Sequence, residues 1–292
     1  MNKENNKLPF LLLLPTMLIM IGLVCYPILV TFTYSLQNFK LTQPENTKFI
    51  GISNYLTILK SADFHYSLLN TAIVLCLVVV FCLVGSLAVA LILNVKVRIN
   101  GVLTAIAILP WALPPIVNGI VWRWIFYPGF GFMNKLLYKL GLIEEPIQWI
   151  TNRYSLLFIV SLVVAWRAIP FCAVILLSAL HSIPREIYES ADIDGANVMQ
   201  RFTRITLPML MPSFAIVFTH TSINAINVFD ELIALAGYSQ IGQTLLVYNY
   251  VTTFSFLNFG LGSSLTYIIM LMSGILGIFY IKSMYRDKGG SG

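Results

Sequence analysis

The polar side chains inside the apolar segments are the residues of this chain best placed to do chemistry. One apolar segment carries a stripe of them at helical spacing: His220, Asn224, Asn227 and Glu231, with Asp230 beside the stripe. On a continuous helix the stripe forms one face, because residues three or four apart lie on the same side. Polar groups cost free energy in hydrocarbon, so this face is expected to turn towards partner helices or a cavity. The stripe is therefore a candidate substrate path.

A second candidate set lies in an earlier apolar segment. Trp111, Asn118 and Trp122 share a similar helical spacing. A neutral amide between two indole rings suits a sugar, whose hydroxyls need donors and acceptors and whose C–H faces stack on aromatic rings. For both sets there is a purely structural alternative, in which amides join helices and tryptophans mark the membrane interface. The sequence leaves both interpretations open.

Motifs for nucleotide binding, hydrolysis or metal binding are absent from the sequence. It contains no G-x-x-x-x-G-K-[ST] loop, no H-E-x-x-H and no G-x-S-x-G. The histidines His65, His181 and His220 are scattered, and the four cysteines lie in apolar runs without C-x-x-C spacing. The chain is therefore not expected to be an enzyme, and it is expected to bind no metal.

The composition indicates a membrane protein. Of the 292 residues, 58% are hydrophobic and 10% are charged, whereas soluble chains average ~45–50% and ~25%. Several apolar segments exceed the ~18 residues that indicate a membrane-spanning helix. Six such segments are predicted, at residues 9–36, 68–93, 102–127, 155–180, 209–236 and 262–281. The predicted fold class is all-α, a polytopic membrane protein with six transmembrane helices.

Prolines are expected to distort two of these segments. Pro15 and Pro27 are expected to kink the first, which is too long for a signal peptide and is taken as a retained span. Pro110, Pro114 and Pro115 are expected to break the third. Such breaks persist where neighbouring helices or a water-lined cavity satisfy the freed carbonyls.

The net charge of +6 sets orientation and does not indicate nucleic-acid binding, because the basic residues flank apolar segments singly or in pairs. Six spans place both termini on one side. That side carries ten of the eighteen basic residues: Lys3, Lys7, Lys96, Arg98, Arg185, Arg201, Arg204, Lys282, Arg286 and Lys288. Both termini are therefore predicted to be cytoplasmic. Arg167 is expected near the outer end of the fourth segment, where it would snorkel or pair with a loop.

The charged stretch from Ser182 to Pro208 is predicted to form a helix, a break and a second helix. Ser182 is a suitable cap, Pro184 suits a first helical turn, and Gly195 suits a left-handed stop. Pro208 lacks a backbone donor and is expected to begin the next span. An ordinary solvated loop is the alternative.

A sequence signature within this stretch resembles that of a known family. It comprises Glu189-Ser190-Ala191, Asp194-Gly195-Ala196 and Ile205-Thr206-Leu207-Pro208. The chain resembles the permease subunits of binding-protein-dependent ABC importers, within their carbohydrate branch, and is similar to the first permease of maltose- and glycerol-phosphate-type systems. Ser190 departs from the usual alanine. The segment Asn227-Val228-Phe229-Asp230 also matches the family, whereas the following turn, Ala236-Gly237-Tyr238-Ser239, departs from its pattern.

The resemblance implies an ABC type I importer permease fold, with residues 61–288 as the transmembrane domain. Residues 1–60 would supply a tail, the first helix and an external segment, and residues 289–292 are interpreted as an artificial linker. The residues implied to couple to an ATPase are Glu189, Ser190, Ala191, Asp194, Gly195, Ile205, Leu207 and Pro208.

The partners implied are a second, homologous permease, a cytoplasmic ABC ATPase dimer and an extracellular or periplasmic solute-binding protein. The chain itself would carry no cofactor, because ATP and Mg would bind the ATPase. The expected location is a bacterial or archaeal plasma membrane, and the expected solute is a disaccharide, an oligosaccharide or a sugar phosphate.

Two other functions compete with this one. An ion-coupled secondary transporter would show inverted repeats and buried ionisable residues, but no convincing repeat is present, and the acids within spans are limited to Asp230 and Glu231 near a span end. A membrane scaffold or receptor would bind partners without moving a solute.

Overall fold

The computed structural model describes residues 8–95 and 98–288. The α-helices of this part are α1 (Leu8–Met20), α2 (Tyr26–Ser35), α3 (Ser53–Lys60), α4 (Ala62–Asn94), α5 (Asn100–Ile108), α6 (Pro115–Ile125), α7 (Phe132–Lys139), α8 (Arg153–Ser182), α9 (Arg185–Ile193), α10 (Val198–Arg201), α11 (Leu207–Ile226), α12 (Asp230–Ala236), α13 (Leu245–Tyr250) and α14 (Phe259–Lys288). The described residues form two isolated β-bridges and no β-strand. The predicted all-α class is confirmed. The predictions for Lys3, Lys7, Lys96 and residues 289–292 lie outside the described residues.

Within residues 8–95 and 98–288, five helical stretches are long and apolar enough to cross a membrane: Phe10–Ser35, Ala62–Asn94, Arg153–Ser182, Val198–Ile226 and Phe259–Ile278. A sixth candidate is the pair Gly101–Ala112 and Pro115–Ile125, whose two halves meet at 95°. The chain is thus a helical protein that crosses the membrane several times. The count of six spans and the cytoplasmic termini remain predictions.

The prolines of the third apolar segment break its helix. Leu113 and Pro114 both have extended backbone, with ψ of 133° and 139°. Each precedes a proline, whose ring disfavours the helical conformation of the residue before it. The predicted break is confirmed, and it separates Trp111 from Asn118 and Trp122, so the helical spacing of these three residues does not place them on one helix face.

The fifth segment also breaks, between α11 and α12. Asn227 follows the last residue of α11, and its side-chain Nδ2 donates to the carbonyl of Ile223 at 2.8 Å. Such local bonds compete with helix continuation. Glu231 and Asp230 consequently lie in the first turn of α12, so the prediction of a single helical face from His220 to Glu231 is wrong.

The first segment, Phe10–Ser35, is one candidate span. A π turn at Ile21–Cys25 joins α1 to α2, and Pro27 lies in the first turn of α2. The helix therefore accommodates Pro27 just after a widened turn, where its missing N–H is easily tolerated.

The residues that the structure describes form two compact units. One comprises the chain up to Phe64 together with Tyr248–Met270, and in it Asn54 Nδ2 donates to the carbonyls of Ser35 and Gln37 at 3.0 and 2.9 Å. The other comprises His65–Val247 and the chain from Leu271 onward. The domain boundary predicted at residue 60 stays a prediction.

The core of the second unit forms around α8, which buries one apolar side along most of its length. Helices α6 and α12 of the same unit approach closely at Gly119. A Cβ atom on Gly119 would lie 2.5 Å from the Cβ of Ala234 and 3.0 Å from the Cα of Glu231. Glycine is therefore required at this crossing.

Candidate functional site

A buried ion pair joins α8 to α12 within the second unit. Arg167 Nε donates to Glu231 Oε1 at 3.0 Å, and the two side chains are 20% and 5% exposed. Arg167 lies near the middle of α8, so its predicted position near the outer end of the span is wrong. No local sequence pattern indicates this pair, because 64 residues separate its members.

A row of aromatic and polar side chains runs across three elements of the same unit. Trp111, in the turn before the break, stacks on Phe171 of α8, with ring centroids 5.5 Å apart and planes 19° from parallel. The Phe171 ring lies 4.6 Å from the ring of His220, whose Nε2 is 3.0 Å from Asn224 Nδ2. Trp111 is about half exposed and the other members are partly buried. This set, from Trp111 to Asn224, is called the aromatic–amide row below.

The other predicted path residues occupy different surroundings. Asn118 is fully buried on α6 and donates through Nδ2 to the carbonyl of Val163 at 3.1 Å. Its Oδ1 has no hydrogen-bond partner within the described residues. Trp122 stacks on Phe126 at 5.7 Å and meets Trp166 edge to face, in an aromatic cluster separate from the row.

Asn227 and Asp230 flank the break between α11 and α12, and both are exposed. The structure therefore brings Trp111, His220 and Asn224 together, buries Glu231 against Arg167, and leaves Asn227 and Asp230 at the surface. An exposed amide and carboxylate next to a helix break are available to a solute or to another chain.

The charged stretch forms two helices around a left-handed glycine, as predicted. Helix α9 ends at Ile193, and Gly195 has φ of +74°, a backbone conformation that favours glycine. Ser182 does not cap α9, because it ends α8 and its hydroxyl donates to the carbonyl of Ala179. Pro184 occupies the cap position instead. Because α8 extends to Ser182, that residue belongs to the preceding helix, and the cap of α9 lies at Pro184.

The second short helix continues into the next span. Helix α10 passes through a π turn at Phe202–Thr206 directly into α11, and Pro208 lies in the first turn of α11. The prediction that a separate short helix ends before Pro208 is therefore wrong. The widened turn precedes a proline that has no N–H to complete an ordinary helical turn.

Side chains hold the two short helices in place. Asn197 and Gln200 form a capping box at the start of α10, Arg201 forms an ion pair with Asp192, and the hydroxyls of Tyr188 and Thr206 lie 2.8 Å apart. The Asn-x-x-Gln spacing at residues 197–200 was a readable signal for the capping box. The loop is therefore an ordered element.

The coupling residues predicted in this loop differ in exposure. Glu189, Ser190, Asp194, Gly195 and Pro208 are exposed, whereas Ala191, Ile205 and Leu207 are partly buried. Large apolar side chains surround the glycine, with Ile193 88% exposed and Val198 and Met199 also exposed. A charged loop that exposes such residues at its tip has the character of a docking surface.

A polar network that the sequence did not reveal fixes the segment after α12. Asn70 of α4 accepts from Arg153 Nε at 2.8 Å and donates to the carbonyl of Gln243 at 2.8 Å. The neighbouring Thr71 hydroxyl accepts from the backbone N–H of Leu245 at 2.9 Å. The Arg153 guanidinium also lies 4.2 Å over the ring of Tyr66.

Within the described residues, no group of three or more His, Cys, Asp or Glu side chains is arranged to hold a metal ion. Two features of the second unit are therefore candidate binding sites. The partly buried aromatic–amide row is a candidate site for a solute, and the exposed tip of the charged loop is a candidate site for a protein partner.

Sequence comparison gives close relatives over nearly the whole chain. The trehalose/maltose transport system permease protein MalF of Thermococcus litoralis is 32% identical over 280 residues, which cover 94% of this chain and 93% of that protein. The sulfoquinovosyl glycerol transport system permease protein SmoG of Agrobacterium fabrum is 30% identical over 277 residues, 94% of this chain and 89% of that one.

The fold is similar to that of a solved bacterial ABC transporter chain involved in the import of the acidic polysaccharide alginate. The TM-score is 0.80 at 22% identity, with 96% of this chain and 95% of that chain covered. The family model described as binding-protein-dependent transport system inner membrane component matches residues 82–286. The chain therefore belongs to the family of inner membrane components of binding-protein-dependent transport systems.

Proposed function

We propose that the chain is the permease subunit of an ATP-driven importer for a neutral sugar, such as a disaccharide or an oligosaccharide. The observation that carries this proposal is the aromatic–amide row. It offers a stacking surface, a ring nitrogen and an amide to one solute, which are the groups that sugar rings and hydroxyls need. The name of one relative, a trehalose/maltose permease, supports the same solute class.

Asn227 and Asp230 are proposed to extend this path at the break after α11. Glu231, Asn118 and Trp122 are proposed to support the path indirectly: Glu231 through Arg167, and Asn118 and Trp122 through the packing of α6 against α8. A second, homologous permease would form the other wall, because a partly exposed row on one chain does not enclose a solute.

The charged loop is proposed to dock on a cytoplasmic ABC ATPase dimer that binds ATP and Mg. Glu189 and the exposed apolar tip at Ile193, Val198 and Met199 would enter a groove on that ATPase. ATP hydrolysis would then reside on the partner, and this chain would transmit the movement. Family membership disfavours the ion-coupled alternative, which needs no such docking surface.

A solute-binding protein is proposed to deliver the sugar on the outer side of a bacterial or archaeal plasma membrane. This arrangement accounts for a path residue set that is small and largely neutral, since much of the selectivity would lie in the delivering protein. The family is named for its dependence on such a binding protein, which supports this part of the proposal.

The test is reconstitution of the chain in proteoliposomes with the ATPase, the second permease and the binding protein of its system. ATP-dependent uptake of radiolabelled trehalose or maltose, with stimulated ATP hydrolysis, is the expected result. A wild-type complex that moves no sugar from a wide panel, or uptake driven by a sodium or proton gradient without the ATPase, contradicts the proposal.

A further inference from the structure

Arg167 lies in line with the aromatic–amide row. It is four residues before Phe171 on α8, and residues four apart on a helix are neighbours on one face. Phe171 is the centre of the row, between Trp111 and His220. A solute that stacks along the row is therefore within one helical turn of a guanidinium group.

Most of the hydrogen-bonding capacity of Arg167 is unused. A guanidinium has five N–H donors, and within the described residues the only bond that Arg167 makes runs from Nε to Glu231. The side chain is 20% exposed, so Arg167 is not fully enclosed by the unit. Its terminal nitrogens are free to donate to the oxygens of a solute.

Glu231 cancels the charge of this donor. Its carboxylate is 3.0 Å from Arg167 Nε and its side chain is 5% exposed, so little water screens the pair. The backbone of Glu231 is held against α6 by the close approach at Gly119. The Cα of Glu231 is therefore positioned by this helix crossing, and its carboxylate lies against Arg167.

We propose that Glu231 determines the charge of the solute that passes the row, by masking the positive charge of Arg167. The inference rests on the proposed function. With the pair intact, Arg167 donates N–H groups to the hydroxyls of a neutral sugar while the local charge stays zero. An anionic sugar meets a carboxylate in poorly hydrated surroundings, where an unpaired charge is costly. Without the carboxylate, the same arginine becomes a site for an anion.

The test measures solute binding to the purified complex of the two permeases and the ATPase. The binding protein is left out, because its own specificity would determine which solutes reach the permeases. Equilibrium constants for maltose and trehalose are compared with that for an aldobiouronic acid, a disaccharide that carries one carboxylate. Saturation-transfer NMR is the method, because it also detects weak binding. Wild type is expected to prefer the neutral sugars. Glu231→Gln, which keeps the shape and removes the charge, is expected to shift the ratio towards the acid by about tenfold or more, because hydrogen bonds to charged groups are the stronger ones.

A double variant, Glu231→Gln with Arg167→Gln, separates charge masking from packing. It carries two neutral amides and is expected to lose the gain for the acid. A purely structural role for the pair would lower stability or total binding in both variants without moving the ratio between the two kinds of sugar.

The inference is overturned if the assembled Glu231→Gln complex shows the same ratio of binding constants for acidic and neutral sugars as wild type. It is also overturned if the wild-type transporter prefers the acid, or if it imports sugar but binds none of the probes. In each case ATP-dependent uptake by the wild-type complex would leave the proposed function standing. Absence of all uptake by wild type would instead count against the proposed function itself.

Discussion

Gly195 shows how one residue determines the shape of the charged loop. Its φ is +74°, and a Cβ atom at this position would meet nothing within 4 Å. The need for glycine is thus conformational and does not arise from crowding. A β-branched side chain in this region of backbone costs ~1–2 kcal/mol.

Gly195→Val is accordingly expected to displace the tip of the loop and to reduce co-purification of the ATPase and sugar-stimulated ATP hydrolysis. Gly195→Asn is the control, because asparagine tolerates left-handed backbone. Normal coupling in the valine variant would contradict the assignment of the turn.

Asn227 is the exposed amide at the end of α11, and its bond to the carbonyl of Ile223 is local. Asn227→Ala is expected to reduce sugar uptake about three- to tenfold, the effect of losing one neutral hydrogen bond to the solute. ATPase assembly should be unchanged. Asn46→Ala, another exposed asparagine, is the control, and equal uptake by both variants would remove Asn227 from the path.

For single residues, local conformation was predictable from the sequence, whereas long-range contacts were not. The types and spacing of residues 189–195 predicted a turn at Gly195, because glycine and the charged flanks act locally. The partners of Arg167 and Asn70 lie 64 and 173 residues away. Such contacts depend on how helices assemble, and no local pattern records them.

At the scale of elements, the crossing of α6 and α12 depends on Gly119. Gly119→Ala would place a methyl group 2.5 Å from the Cβ of Ala234. The helices would have to separate, at a cost of ~1–3 kcal/mol typical of overpacking. A lower unfolding temperature of the purified protein is the expected result.

Gly101→Ala is the matched control for that variant, since a Cβ there meets nothing within 4 Å. Alanine is also the better helix former. An unfolding temperature for Gly119→Ala equal to that of Gly101→Ala would contradict the tight crossing.

The elements themselves were predicted well wherever hydrophobicity decides them, as in α4, α8 and α14. The breaks were harder. The prolines predicted the break before α6. The break after α11 has no such signal, because the polar spacing from His220 to Glu231 is the same whether or not a helix continues through Asn227. The backbone conformation of Asn227 and Phe229, which is not helical, distinguishes the two.

At the scale of the whole molecule, the orientation in the membrane is open to a direct test. A cysteine is placed at Glu145, in the predicted outer segment, or at Glu186, in the charged loop; both side chains are exposed. A membrane-impermeant maleimide should label the first in intact cells and the second only after permeabilisation. The native cysteines are replaced beforehand, and the reverse pattern would contradict cytoplasmic termini.

The continuity of α10, the π turn and α11 has a mechanical consequence. The stretch Val198–Ile226 has 29 residues, which at ~1.5 Å per residue makes a rod about 43 Å long. Met199 stands at its foot, and His220 and Asn224 stand near its head. Because the helical backbone is continuous from Met199 to Asn224, a displacement of the loop tip by a docked ATPase would also displace His220 and Asn224, and nucleotide binding and solute release would be synchronised.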